Sequence, residues 1–141
     1  MGVRTALAVA LGLAIGVSPA VFASGQTTGC LEQAAVVVVD LDDARYPHIA
    51  DHIHDAIRRG RPEFMTIARD QATANRRAAL AASGLPSLPD EDRDEYPMAF
   101  SDEGGAGSDV RYVDDAENQG AGSVVGRVLR PYCDGQRFTV R

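Results

Sequence analysis

The chain has 141 residues, 45% of them hydrophobic, with 20 acidic against 14 basic side chains and a formal charge of −6. That length supports one compact domain with a modest core rather than two. The acidic balance argues against a partner held through a broad basic surface, the usual means of binding a polyanion.

Residues 1–23 read as an export signal outside the folded protein. Arg4 supplies a positive start, the run from Thr5 to Val17 is apolar but short for a bilayer, and Val21-Phe22-Ala23 offers the small residues a signal peptidase reads. An uncleaved anchor is disfavoured by that length. Cleavage leaves a single domain over residues 24–141, secreted and without a membrane contact. Losing Arg4 takes the charge from −6 to −7. All the cationic side chains are arginine, and Arg58, Arg59, Arg61, Arg69, Arg76 and Arg77 fall close together. Cys30 and Cys133 would meet an oxidising compartment after export, which favours a disulfide over two free thiols.

Gly25–Gly29 is a polar lead-in. Ala34–Val39 is a continuous apolar run rich in valine and predicts a strand buried on both faces. Pro47 suits the first turn of a helix over about His48–Arg59, with Ile49, Ile53, Ala56 and Ile57 on one face and Gly60 as the stop. Phe64–Ile67 is a short strand or an extended link. Asp70 is a candidate cap for a helix over Gln71–Ala82, ended at Ser83-Gly84.

Leu85–Pro89 then delivers the chain to an acidic stretch. Tyr96–Phe100 and Val110–Val113 read as strands joined by a glycine-rich loop, and Asp114–Gly122 reads as a second loop. A short helix over Ser123–Arg130 and a last strand over Gln136–Val140 complete an α+β order.

Asp90, Glu91, Asp92, Asp94 and Glu95 crowd carboxylates that repel one another unless a cation intervenes. A calcium loop fails, since glycine and glutamate are missing where Glu95 and Ser101 stand; a solvated acidic turn remains the plain alternative. Asn118 could offer an oxygen to a hard ion or merely cap the helix expected near Ser123. Gly104, Gly105 and Gly107 could expose N–H groups to phosphate or simply form a loose hairpin loop. His48 and His52 have the i, i+4 spacing of a zinc pair, but Ile49 stands where a metalloprotease places glutamate, so surface or capping histidines are expected.

Several unusual words in fixed order resemble one family. Asp92-Arg93-Asp94-Glu95-Tyr96-Pro97-Met98-Ala99, Glu103-Gly104-Gly105-Ala106-Gly107, Asp109-Val110-Arg111-Tyr112-Val113, Asn118, Gly120-Ala121-Gly122-Ser123 and Asp134-Gly135 closely resemble the secreted NucA/NucB-type deoxyribonucleases. The resemblance is weak from Arg45-Tyr46-Pro47 and dense from Asp92 to Ser123. It implies a secreted, sequence-independent, metal-dependent DNA endonuclease with a ββα-metal-like core. By motif position the general base is Asp94, the metal-binding asparagine is Asn118, and Arg93 and Glu95 flank the base to orient it or grip phosphate. Asp92, Glu103 and Ser123 are candidate supporting residues.

The expected cofactor is one Mg²⁺ or Mn²⁺ ion, and the expected partner is DNA. A monomer is expected, with an inhibitor protein as a further candidate partner. The sequence departs from secreted bacillus members at Met65 and Ser101, where they tend to carry cysteines, which implies that Cys30–Cys133 replaces the usual bridge. Gln119 stands where the family often has arginine. The competing readings are a non-enzymatic, divalent-cation-binding extracellular module and a zinc hydrolase using His48 and His52.

Overall fold

The computed structural model describes residues 29–141, so the export signal expected over residues 1–23 lies outside them. The described residues form an α+β fold in the order β1 (Val37–Val39), α1 (Pro47–Arg58), β2 (Met65–Thr66), α2 (Ala72–Ser83), β3 (Glu91–Tyr96), β4 (Asp109–Asp114), α3 (Asp115–Leu129) and β5 (Arg137–Val140). A 3₁₀ turn, Arg69–Gln71, leads into α2.

One sheet has β5 at its centre, parallel to β1 and antiparallel to β2. Phe138, fully buried, pairs in register with both Val37 and Met65 and stacks on Phe100 at 5.6 Å. The valine run is shorter as a strand than expected, and only one face of it is buried. Val37 and Val39 point inward while Val38 is 40% exposed, the alternation of a sheet covered on one side. The first described residues are joined here to the segment after α3: Cys30 and Cys133 form the expected disulfide, and Leu31 N–H donates to Pro131 O at 2.7 Å.

The second sheet is the antiparallel hairpin β3–β4, registered from Glu91 opposite Asp114 to Tyr96 opposite Asp109. The acidic stretch, for which a solvated turn was the plain alternative, is itself β3, and the strand expected over Tyr96–Phe100 instead ends at Tyr96. Strand propensity alone disfavours Asp and Glu, but Asp92, Asp94 and Glu95 each meet a partner from another element, and those contacts override the local preference. α3 follows β4 directly, completing a contiguous ββα unit. The expected loop over Asp114–Gly122 does not exist, because Asp114 caps the helix by accepting from Glu117 N–H at 3.0 Å. Asn118 therefore lies inside α3 rather than ahead of it, and Ser123 is mid-helix. Asp70 sits within the 3₁₀ turn and caps nothing; Gln71 is the residue ahead of α2. Gly60 and Gly84 follow α1 and α2 with φ of +91° and +67°, the left-handed stops their positions suggest.

Period-two alternation along β3 sends Asp92 and Asp94 to one face of the hairpin and Arg93 and Glu95 to the other. α1 and α3 supply partners on the first face, α2 on the second.

Candidate active site

A cleft of about 410 Å³ runs along β3. Asp92, Asp94 and Glu95 line it from the strand, Arg76 from α2, and Asn118, Gln119 and Gly122 from α3. Its floor is apolar, formed by residues such as Leu41, Ile49, Met98 and Val125.

Asn118 Nδ2 donates to Asp92 Oδ2 at 3.1 Å. That bond uses the amide nitrogen and leaves Oδ1 as the acceptor of the group, beside a carboxylate that is only partly shielded from water. Asp94, whose side chain is 18% exposed, faces His52 Nδ1 at 2.7 Å through Oδ2. His52 Nε2 faces Asp109 Oδ1 at 3.0 Å, and Arg59 NH2 lies 3.3 Å from Asp109 Oδ2. The histidine is completely buried, so the expectation of a surface or capping ring fails for it. The zinc pair fails too. Both His52 nitrogens are occupied by carboxylates, while His48 Nδ1 turns to Glu117 Oε2 at 2.6 Å.

That second contact has a structural purpose. The first turn of α1 has no side-chain cap of its own. Glu117 of α3 supplies one from outside, its Oε1 accepting from His48 N–H at 2.7 Å and Ile49 N–H at 3.1 Å. The carboxylate beside it raises the pKa of His48. Burial works against ionised Glu117, but the hydrogen bonds from His48 and Ile49 outweigh it and the pKa falls.

Glu95 is only 6% exposed, and burial pushes its carboxyl pKa up, partly offset by Arg76. Arg76 Nε lies 3.3 Å from Glu95 Oε1, close enough for charge attraction but without hydrogen-bond alignment. Asp55 moves the other way: Arg111 NH2 donates to it at 2.9 Å and lowers its pKa.

Among the sequence candidates, Asp92, Asp94, Glu95 and Asn118 are brought together. Arg93 is on the α2 face of β3, donating to Leu85 O at 2.9 Å, and Arg76 is the arginine that lines the cleft. Glu103 accepts from Thr66 N–H at 2.8 Å, tying its loop to β2. Ser123 is exposed and donates to Gln119 O at 2.8 Å. Neither lines the cleft.

The profile of the family described as Deoxyribonuclease NucA/NucB matches residues 53–141. The chain belongs to that family. It is also 48% identical over 99 residues to the "DNA-entry nuclease" of Bacillus subtilis (strain 168), an overlap covering 69% of this chain and 66% of that relative. The family match takes in the whole ββα unit and every cleft carboxylate named above. His52 stands one position ahead of it. Met65 and Ser101, where bacillus members of the family tend to carry cysteines, are both fully buried, on segments joined by the Ile67–Ser101 bridge.

Sequence reasoning missed His52, Asp109 and Glu117 as members or supports of the site. The signal for Glu117 was available: Asp114 followed three residues later by glutamate is a capping-box pattern and places the helix start ahead of Asn118. A polar His52 on the apolar stripe of Ile49, Ile53 and Ala56 was the corresponding signal for a buried partner.

Proposed function

We propose that this protein is an exported endonuclease that hydrolyses DNA phosphodiester bonds without sequence preference, with Asp94 as general base and one Mg²⁺ or Mn²⁺ ion. The observation that carries the reading is the convergence of Asp94, Asp92 and Asn118 in one cleft of a ββα unit within a deoxyribonuclease family. The relative named for DNA entry supports the same substrate. The apolar N-terminal stretch and the disulfide support export.

The donor set suits a hard divalent ion. Asn118 Oδ1 and the Asp92 carboxylate are oxygen ligands, and Asn118 is held against Asp92 by a hydrogen bond. Among the described residues no three His, Cys, Asp or Glu side chains form a group that could hold a metal ion. An ion held here by Asn118 and Asp92 would keep much of its water, as Mg²⁺ prefers. When bound, it supplies Lewis-acid polarisation of the phosphoryl oxygen and charge stabilisation for the departing oxygen.

The chain's own residues do the rest. Asp94 accepts the proton of a water attacking phosphorus in line with the departing oxygen. A carboxylate is a weaker base than imidazole but is ionised at neutral pH. Arg76, on the cleft wall, offsets negative charge building on the phosphoryl oxygens. The apolar floor keeps bulk water from that side, which strengthens each of these interactions.

Plasmid nicking by residues 24–141 with Mg²⁺, Mn²⁺ or EDTA tests the reading. Supercoiled DNA is expected to become nicked in either metal and to survive in EDTA. Asp94→Asn is expected to lower the rate by roughly 10²–10⁴-fold, the range for losing a general base. A chain that binds divalent ions yet never cuts DNA would instead be the extracellular cation-binding module.

A further inference from the structure

We propose that His52 is a positioning residue for Asp94, locking one carboxylate oxygen so that the other faces the attacking water. The inference rests on the nuclease reading above and concerns the path by which α1 and β4 act on that site.

A fully buried imidazole on the apolar face of α1 is costly unless both polar nitrogens find partners. Both do, and the partners come from two strands: Asp94 of β3 at 2.7 Å and Asp109 of β4 at 3.0 Å. An ionised carboxylate only accepts, so a ring nitrogen that bonds one must carry a hydrogen, and this applies to the Asp94 and the Asp109 contact alike. Asp94 Oδ2 is therefore taken, and Oδ1 is the oxygen left to receive the water's proton. Asp109 fixes the ring from behind, with Arg59 on its outer oxygen at 3.3 Å. A carboxylate on a strand otherwise turns about two side-chain bonds. Here its plane is set by a ring that is itself pinned at both ends.

A histidine that merely clips α1 to the hairpin would share this geometry, so the test must read an effect transmitted through Asp94. Residues 24–141 are assayed on plasmid DNA in Mg²⁺ as wild type, His52→Gln, Asp109→Asn, Asp94→Asn and the His52→Gln/Asp94→Asn double variant. His52→Gln is expected to lower kcat roughly 10- to 100-fold, as the loss of an outer support does, with KM changed less than about twofold on the same argument. Asp109→Asn is expected to lower kcat in the same direction by less. In the Asp94→Asn background, His52→Gln is expected to cost nothing further.

A readout free of activity accompanies these: the ¹⁵N resonance of His52 Nδ1, measured without DNA or metal, should move on Asp94→Asn. Wild-type kcat in His52→Gln, or an undiminished loss in the double variant, overturns the proposal. If His52→Gln does not fold, the Asp109→Asn rate and the resonance decide, and an unmoved resonance overturns it. A wild-type chain that cuts nothing overturns the nuclease reading itself, and the resonance then still reports whether His52 and Asp94 are bonded.

Discussion

Glu95 is a residue the fold would be more stable without. Its carboxyl is buried beside Asp94, and Arg76 reaches it only at an unfavourable angle. Burial raises its pKa, so the folded chain holds the proton more tightly than the unfolded chain does. The sign follows: stability tied to this group is fully present below its unfolded pKa and is lost as pH rises through the higher folded value. Glu95→Gln is therefore expected to melt at a higher temperature than wild type at pH 7.5, with the gap closing towards pH 4.5, where the unfolded carboxyl also begins to hold its proton. Thermal melts at both pH values check this. A gap independent of pH would mean that ionisation is not what makes the residue costly. Strain kept at a cleft in this way is a frequent companion of function.

At the scale of elements, α1 and α3 depend on each other through Glu117. The glutamate completes the first turn of α1 and pairs with His48, so its removal affects a helix that is distant in sequence. Glu117→Ala is expected to cost about 0.5–2 kcal/mol, the range for losing a cap. The pH dependence has two limbs. The lowered Glu117 pKa gives stability present above its unfolded value of 4.5 and lost as pH falls through the folded one. The raised His48 pKa gives stability present below 6.5 and lost as pH rises through its folded value. The melting gap between wild type and Glu117→Ala should therefore be wider at pH 5.5 than at pH 8.5.

The glycines of α3 divide along similar lines. A Cβ on Gly120 would lie 2.9 Å from the ring of buried Tyr46, so Gly120→Ala is expected to cost about 1–3 kcal/mol through overpacking. Gly122 has open space around it and lines the cleft. Gly122→Ala should stabilise the helix by roughly 0.5–1 kcal/mol while slowing DNA cleavage, because its methyl stands on the cleft wall. Urea melts and nicking rates on the same two variants separate these effects.

This is also where the sequence was hardest to read. α1, its face and its stop were legible because their signals are local. The start of α3 is signalled by Asp114 and Glu117 but was obscured by Gly120-Ala121-Gly122, which look like a loop until Tyr46 is known to require one of them. β3 was hidden because carboxylates disfavour strands locally, and the partners that hold them come from α1, α2 and α3. Asp94 and Asn118 were visible only as words in a family pattern. That they share a cleft depends on tertiary packing that no spacing encodes.

Over the whole molecule, charge sets how DNA can be held. The run of arginines between Arg58 and Arg77 suggests a basic surface, yet the fold spends several of them internally. Arg58 pairs with Asp55, Arg59 with Asp109 and Arg69 with Asp134. With an overall formal charge of −6, that leaves Arg61, Arg76 and Arg77 of the sequence cluster rather than a broad positive surface. A phosphate at the cleft would meet Arg76 and whatever positive charge a divalent ion brings to Asp92 and Asn118. The affinity of a duplex should therefore fall only gently with monovalent salt, with a log–log slope of about −1 to −2 for one or two neutralised phosphates. The measurement is DNA binding by Asp94→Asn at fixed Mg²⁺ between 50 and 200 mM NaCl, a range over which a protein gripping six or more phosphates loses about a thousandfold or more in affinity. A slope of that steep kind would place DNA on a broad arginine face and remove the cleft as its main hold. The gentle slope would leave the proposed catalysis to depend on the ion and a few oriented side chains, which is the hold the proposed function requires of an acidic chain.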